Sequence, residues 1–419
     1  MAGAERVLPN DRGSAEEGEL RRSLSLPLIT FYGLGTILGA GIYVLVGKVA
    51  GVAGMYAPLS FALAAITAGL SAFTYMELCS RYPLAGGAAI YTQQGFGLRW
   101  LSILVGFLIV LSGLVSAATI SKGFVGYFRV FFDLPDAWII VAVVVALCLL
   151  AAWGIAQSVT AAAVATVIEV GGLILIIVVA AASFGALPER LPELLPPMEV
   201  AAWQGMFLGG FLAFYAFIGF EDMVNVAEEV KEPQRNLPRA ILLAISISTF
   251  FYLAVSVAAV LALPLDELSA SRAPLALMFE RSTGASPKVM ALISLFAVIN
   301  GALIQIIMAA RMLYGMSREG WLPKGIGKVH PRTQTPVLAT ILVSLAALLL
   351  ALALPLVTLA KVTSFTVLAV FAIIGVALIR VKRAGPAAPG VYTVPYWVPF
   401  GSVATAILLL GFQIFDMVR

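Results

Sequence analysis

The sequence GLGTILGAGIY at residues 33–43 places four glycines inside a long apolar run. Each glycine lowers helix stability by about 1 kcal/mol relative to alanine. In lipid, every backbone group that leaves the helical ladder must find another partner. Two interpretations follow. Either small residues allow helices to pack closely here, or the helix opens and its N–H and C=O groups face a ligand or a cavity.

The composition around this stretch is that of a chain embedded in a membrane. Of 419 residues, 61% are hydrophobic and 11% are charged, whereas a soluble domain has about 45–50% apolar and about 25% charged residues. The two cysteines and one histidine offer no disulfide framework and no metal-ligand spacing, so we expect neither a cofactor nor a bound metal. The net charge of +4 comes from loops between apolar runs, which argues against a nucleic-acid-binding face.

Eleven apolar runs are long enough to be membrane spans. Their predicted ranges are 26–48, 57–80, 101–129, 136–154, 157–184, 204–230, 239–263, 287–314, 335–353, 357–381 and 396–416. The ninth and tenth are separated only by Pro355 and a short turn. Because an even number of spans is more usual, either a twelfth helix is missing or one span has been split in two.

The Lys- and Arg-rich loops predict the orientation. The dense ones lie at 231–239, 311–332 and 380–383, and all are cytoplasmic if the N-terminus is cytoplasmic, as the positive-inside rule expects. The first 23 residues are polar and form no signal peptide. We therefore expect a multi-pass protein of the cytoplasmic membrane, plasma or inner, with a cytoplasmic tail at 1–24.

A second interruption lies in the sixth span, in the stretch FLAFYAFIGFED at residues 211–222. Aromatic residues crowd Gly219, and Glu221 and Asp222 follow at once. Carboxylates inside an apolar segment are costly and suggest a function. The alternative is that both acids lie at a cytoplasmic helix end among Lys231 and Arg235.

The two interruptions, at Gly39–Gly41 and at Ile218–Gly219, lie five spans apart. Secondary transporters often repeat five helices in inverted form, with a broken helix first in each repeat and the binding site between them. The sequence therefore predicts an all-α integral membrane fold with two inverted five-helix repeats, broken first and sixth helices, and at least one extra C-terminal helix. The predicted parts are the tail at 1–24, the repeats at 25–185 and 186–381, and a loop and helix at 382–419.

Several motifs resemble those of the amino acid–polyamine–organocation superfamily of permeases, which have the leucine-transporter-type fold. The resemblance covers about residues 25–381. The matching motifs are GAGI at 39–42, RYP at 81–83 with AGG at 85–87, GFED at 219–222, AEEVKEPQRNLPR at 227–239, and ARMLY at 310–314 with GWLP at 320–323.

The resemblance implies roles for matching positions. The substrate carboxylate would meet backbone N–H groups near Gly39, at Ala40 and Gly41, and the substrate amine would meet carbonyls of Ile37, Tyr215 and Ile218, beside Gly219. Tyr215 would be an aromatic gate above the substrate. Specificity for the substrate side chain would come from the following residues: Ser112, Ser116, Phe217 and Gln305.

Glu169 is the one charge of the fifth span, and it shares a helix face with small residues. Such a carboxylate should face the bundle, where burial favours its neutral form. It is either a coupling group that exchanges protons or a structural carboxyl bonded to the first or eighth span. Many sodium-independent relatives carry Lys here, so the resemblance leaves its role open. Sodium sites of this fold use eighth-span hydroxyls, and this chain offers only Ser294 and Asn300, which favours protons over sodium.

The function predicted from these residues is secondary active transport of amino acids, coupled to protons or by exchange. A polyamine or cationic amine permease is the alternative, since a second ammonium needs a carboxylate such as Glu221 or Asp222. A nutrient receptor or channel with this fold also remains open. No hydrolase motif is present, so we expect no enzyme. Two further charges receive structural interpretations, since we expect Glu77 to pair with a loop base and Lys122 to reach the membrane interface.

Overall fold

The computed structural model describes residues 22–84, 86–153 and 159–418, apart from the side chains of residues 40 and 159–162. The first 21 residues of the expected cytoplasmic tail thus lie outside the described residues. The described chain is a helical bundle. Its helices are α1 (Leu26–Leu38), α2 (Ala40–Ala53), α3 (Ala57–Arg81), α4 (Gly87–Phe96), α5 (Arg99–Phe128), α6 (Asp136–Trp153), α7 (Val159–Val179), α8 (Ala181–Phe184), α9 (Leu187–Arg190), α10 (Val200–Phe214), α11 (Pro233–Ala262), α12 (Leu265–Ala270), α13 (Pro274–Thr283), α14 (Lys288–Arg318), α15 (Val337–Ala353), α16 (Leu356–Ala384) and α17 (Trp397–Val418).

Each of the eleven predicted spans overlaps one or two of these helices in its described residues. Among the described residues, eight helical stretches are long and apolar enough to cross a membrane, and one of them, Leu26–Arg81, contains both the first span (α1 and α2) and the second (α3). The fifth and ninth spans are shorter apolar helices, Ala163–Val179 and Val337–Ala353. The sixth span consists of α10 followed by two 3₁₀ segments, Tyr215–Phe217 and Phe220–Glu229.

Proline and glycine mark where these helices start and stop. Pro58 lies in the first turn of α3 and Pro233 in the first turn of α11, positions where proline removes no helical hydrogen bond. The ninth and tenth spans are separate, because Leu354 and Pro355 are both extended between α15 and α16. The separation inferred from Pro355 is therefore confirmed.

Packing in the bundle is reciprocal between its two halves. The first span, α1, packs against the seventh, α11, while the sixth, α10, packs against the second, α3. An inverted five-span repeat predicts this reciprocity. Large apolar side chains also cover the outside of the bundle, and Trp138, Leu149 and Phe250 are each more than half exposed. An apolar exterior of this extent is suited to lipid.

A buried ionic cluster holds the second span to the tenth. Glu77 is fully buried, 2.7 Å from the Arg81 guanidinium and 2.8 Å from Lys382 Nζ. Its second oxygen also accepts a hydrogen bond from the backbone N–H of Val394 at 2.8 Å. The expected pairing of Glu77 with a base is confirmed, although Lys382 belongs to α16 and not to a loop.

Lys122 has a different partner from the expected membrane interface. Its ammonium group donates to the carbonyls of Ala351 and Leu354, at 3.0 and 2.5 Å. These carbonyls lie at the end of α15, where backbone acceptors have no partner within the helix. Lys122 therefore caps the ninth span.

We predict that Glu77→Gln destabilises the protein strongly, because it leaves two buried cations without a counter-charge. Breaking a buried ion pair costs about 3–5 kcal/mol. Glu193→Gln is the matched control, since Glu193 pairs with Arg190 at 2.9 Å but is half exposed, and exposed pairs contribute about 1 kcal/mol or less. Thermal unfolding in detergent measures both variants. Equal shifts would show that the cluster has no special role.

Candidate functional site

The first span is interrupted at a single residue. α1 ends at Leu38, α2 begins at Ala40, and Gly39 between them has φ −50° and ψ −123°, outside the helical range. The first N–H groups of a new helix have no intrahelical acceptor. The interruption therefore presents the N-terminus of α2 inside the bundle. Gly301 of the eighth span lies against it, since a β-carbon at Gly39 would be 3.5 Å from the Gly301 Cα.

The sixth span is interrupted over five residues. After α10, a short 3₁₀ turn leads to Ile218 in an extended conformation and Gly219 with φ +128°. Gly219 must be glycine for two reasons: this φ disfavours a side chain, and a β-carbon would lie 2.7 Å from the Thr36 carbonyl oxygen. The interruption predicted at Ile218–Gly219 is confirmed.

The two interruptions are in direct contact. Gly41 faces Ala216 so closely that a β-carbon at Gly41 would lie 2.4 Å from the Ala216 Cα. The Thr36 hydroxyl lies 2.7 Å from the Gly33 carbonyl oxygen and 3.1 Å from that of Gly219. The glycine run at 33–41 was predicted either to allow close helix packing or to open the backbone. The structure shows both features at this place.

Tyr252 of the seventh span joins both interruptions. Its hydroxyl lies 2.5 Å from the Ile37 carbonyl oxygen and 2.7 Å from that of Ala216. A phenol has one hydrogen to donate, so the two carbonyls share it. The fully buried Tyr252 ring also packs edge-on against Phe217 at 4.9 Å between centroids. Phe217, expected to contact substrate, therefore lies against the seventh span.

The expected gate residue is bonded to the third span. The hydroxyl groups of Tyr215 and Ser116 lie 2.9 Å apart, and the Tyr215 hydroxyl is 3.3 Å from the Ser116 carbonyl oxygen. The structure thus brings together two side chains that the resemblance assigned to one site. The bond holds the Tyr215 ring between the sixth and third spans.

A narrow cavity lies next to the interruptions. It is lined by apolar side chains of the third, eighth and tenth spans and by five polar residues, namely Tyr75, Ser112, Glu221, Asp222 and Gln305. Ser112 and Gln305, both predicted to contact the substrate side chain, therefore share one cavity. Among the described residues, no group of three or more His, Cys, Asp or Glu residues could hold a metal ion.

The two acids of the sixth span are held beside the interruption. Glu221 accepts a hydrogen bond from the Gly219 N–H at 2.9 Å, and Asp222 accepts one from the Gln305 amide at 3.1 Å. Asp222 is only 6% exposed. Neither acid forms an ion pair within the described residues, where Arg235 pairs instead with Glu232. The alternative that placed both acids among loop bases is wrong, because the break turns them into the bundle.

Glu169 connects the fifth span to the eighth. Its carboxyl group is fully buried and accepts a hydrogen bond from Asn300 Nδ2 at 2.9 Å, while its other oxygen, Oε2, has no hydrogen-bond partner. The Tyr43 hydroxyl, from the first span, donates to the Glu169 carbonyl oxygen at 2.6 Å. The structure therefore joins Glu169 and Asn300. Ser294 instead donates to Met290 of its own helix at 2.8 Å.

Sequence reasoning missed Thr36, Tyr75 and Tyr252. Thr36 stands among the glycines of the first break, and its position there could have suggested a polar bridge. Tyr75 and Tyr252 lie in long apolar helices, where one aromatic hydroxyl is not distinguishable from an ordinary core residue. Only the folded arrangement shows what their hydroxyls face.

The fold resembles solved transporters. The chain superimposes with a TM-score of 0.61 on a Na⁺-coupled sialic acid symporter in a substrate-bound outward-open state, at 15% identity over 93% of this chain and 89% of that one. It also matches MhsT in complex with L-phenylalanine, with a TM-score of 0.60 at 14% identity over 96% and 99% of the two chains. At such low identities these matches show the fold alone.

The amino-acid sequence identifies the protein family, which the structural likeness alone does not. The model of the amino acid permease family matches residues 24–419, and the chain belongs to this family. It is 28% identical to the branched-chain amino acid permease BcaP of Bacillus subtilis, over 90% of this chain and 85% of that one. It is 32% identical to the vacuolar cationic amino acid transporter 2 of Arabidopsis thaliana, over 89% of this chain but 62% of that longer protein. A methylthioribose transporter of Bacillus subtilis is 28% identical, over 94% and 88% of the two chains.

We predict that Tyr252→Phe loosens both interruptions at once, because two buried carbonyls lose their shared donor. Leaving a buried acceptor without a partner costs about 1–3 kcal/mol. Hydrogen exchange should accelerate in peptides covering both 33–43 and 211–222. Tyr396→Phe is the control, since Tyr396 is exposed and also donates to a carbonyl, that of Lys382 at 3.2 Å. Faster exchange confined to α11 would contradict this role.

Proposed function

We propose that this permease carries an amino acid across the membrane by alternating access and holds its charged head group between the two broken spans. The observation that supports this most is the direct contact between the breaks at Gly41 and Ala216. An amino acid head carries a carboxylate and an ammonium group a few ångströms apart. Such a ligand needs donors and acceptors side by side, and two touching breaks supply both.

The carboxylate has a natural place at the N-terminus of α2. Helix N-termini present free N–H groups and a partial positive charge, here at Gly39, Ala40 and Gly41. The ammonium group would lie opposite, at the carbonyls of Ile37, Tyr215 and Ile218. Ile37 already accepts from Tyr252, but a carbonyl oxygen has two lone pairs, so it can accept a second hydrogen bond.

The substrate side chain would extend toward the third and eighth spans. Ser112 and Gln305 line the adjacent cavity, and Ser116, four residues after Ser112 on the third span, bonds to the Tyr215 hydroxyl. We infer that Tyr215 closes over the head group in the manner of a gate. Phe217 then acts indirectly, through its contact with Tyr252.

A polyamine permease is the weaker alternative. A polyamine has no carboxylate, so the N–H groups of α2 would face no anionic ligand. The acids Glu221 and Asp222 suit ammonium groups, but they fit a basic amino acid as well.

Uptake by proteoliposomes tests the proposed function. We expect saturable uptake of labelled amino acids, lost on competition by excess unlabelled amino acid and not by putrescine. Uptake of putrescine alone would favour the polyamine alternative. Binding without uptake would indicate a receptor, and uptake without saturation would indicate a channel. Each of these three results contradicts the proposal.

We further propose that transport is coupled to protons through Glu169, with Asn300 as its partner. Glu169 meets the first span through Tyr43 and the eighth through Asn300, so movement of either span changes its surroundings. The free oxygen Oε2 could hold a proton. Sodium is less suited here, since the eighth span offers Ser294 but no second Ser or Thr hydroxyl to pair with it. The basic loops at 231–239 and 311–332 support a cytoplasmic N-terminus in the plasma or inner membrane.

Glu169→Gln should abolish pH-driven uptake while substrate binding stays measurable, because glutamine keeps the bond to Asn300 but carries no exchangeable acid proton. The readouts are uptake with and without an imposed pH gradient, and substrate-induced thermal stabilisation. Glu280→Gln, at an exposed acid of α13, is the control. Unchanged pH-driven uptake in Glu169→Gln would remove Glu169 from the mechanism.

A further inference from the structure

We propose that the cavity at Asp222 is a subsite for a cationic side chain, so that the preferred substrates are amino acids ending in an ammonium or guanidinium group. This inference rests on the amino acid transport proposed above and names its substrate class. It concerns Asp222, Gln305 and Tyr75, which meet where the second, sixth and eighth spans face each other.

The cavity carries two acids and no base among the described residues. Glu221 and Asp222 both line the cavity, and their hydrogen-bond donors are neutral: a backbone N–H at Gly219 and the Gln305 amide. Among the described residues, no Lys, Arg or His lines this cavity. A buried carboxylate without a counter-charge is costly. Glu77, by contrast, is a buried acid that has two bases beside it, Arg81 and Lys382. A cationic ligand would supply the missing charge at Asp222.

The same cavity contains an unpartnered hydroxyl, that of Tyr75. Tyr75 is only 1% exposed, and its hydroxyl has no hydrogen-bond partner. Its ring is held by edge contacts with Phe220 and Phe371, at 5.7 and 5.4 Å between centroids. A buried polar atom without a partner is rare and calls for an explanation. The phenol oxygen can accept an N–H from a cation, and aromatic rings also attract cations through their faces.

The cavity is also offset from the first break. Gly301 lies against Gly39, and Gln305 follows one helical turn later, a rise of about 6 Å. Gln305, the donor to the Asp222 carboxylate, thus lies about one helical turn beyond the first break, while Asp222 itself follows directly after the second break. Met308 and Met312 form apolar walls of the cavity, and such flexible side chains adapt to methylene groups.

The sharpest test compares arginine with citrulline, which has nearly the same shape but no charge. The full-length protein is reconstituted in proteoliposomes, and uptake of each labelled amino acid is measured. We expect at least a tenfold preference for arginine. Asp222→Asn keeps the shape and an acceptor for Gln305, and it should lower arginine uptake by about tenfold or more, the effect of losing a charged hydrogen bond, while citrulline uptake changes less than about twofold.

Two further variants are measured in the same assay, one in the subsite and one as a control. Tyr75→Phe removes only the hydroxyl, and it should reduce the arginine-to-citrulline ratio by a few-fold without lowering citrulline uptake. Glu280→Gln removes an exposed acid far along the chain and should leave the ratio unchanged. If Asp222→Asn does not fold, the wild-type ratio and Tyr75→Phe still decide the proposal.

Three results would overturn the subsite. Equal uptake of arginine and citrulline by the wild type would show no selection for charge. An equal loss of both substrates in Asp222→Asn would make Asp222 a structural or proton-carrying group. An unchanged ratio in both variants would place the selection elsewhere. In each case amino acids are still carried, so the proposed function survives, whereas the absence of any amino acid uptake would refute the proposed function itself.

Discussion

The structure depends on one constraint, that a backbone opened inside a membrane must still have its polar groups bonded. Two spans are opened here, and donors from the first and seventh spans bond to carbonyls at the breaks. Thr36 of the first break reaches the carbonyl of Gly219 in the second, and Tyr252 bonds the carbonyls of Ile37 and Ala216 from a third direction. The breaks are therefore not two separate defects. Together they make a polar centre within an apolar bundle.

The buried acids around this centre differ in the groups that bond to their carboxylates. Glu77 is paired with two bases and holds two spans together. Glu169 has one amide donor and one free oxygen, which suits a group that binds a proton. Asp222 has one amide donor and a cavity in front of it, which suits a cationic ligand. The three carboxylates are all remote from bulk water, so their partners, and not their burial, separate a structural role from a coupling role and a binding role.

Much of the fold could be predicted from the sequence, because apolar runs of about 20 residues and their glycine and proline interruptions follow directly from the thickness and dryness of a bilayer. Pro355 suggested that the ninth and tenth spans are separate, and the extended backbone at Leu354 and Pro355 decided it. Gly39 and Gly219 were enough to locate the breaks. Their five-span separation was enough to expect that they meet, as Gly41 and Ala216 do.

The partners of individual side chains could not be predicted in this way. The periodicity of a span gives the face of a residue but not the helix that it meets. Lys122 therefore could not be assigned to the end of α15, nor Tyr252 to the two breaks, and Glu221 and Asp222 could be either loop charges or buried acids until the turn at Gly219 was known. A structure with a bound amino acid would show directly whether the two breaks hold the head group. We expect the substrate carboxylate at the N–H groups of Ala40 and Gly41 and its ammonium group at the carbonyls of Tyr215 and Ile218. A head group bound away from both breaks would contradict this expectation.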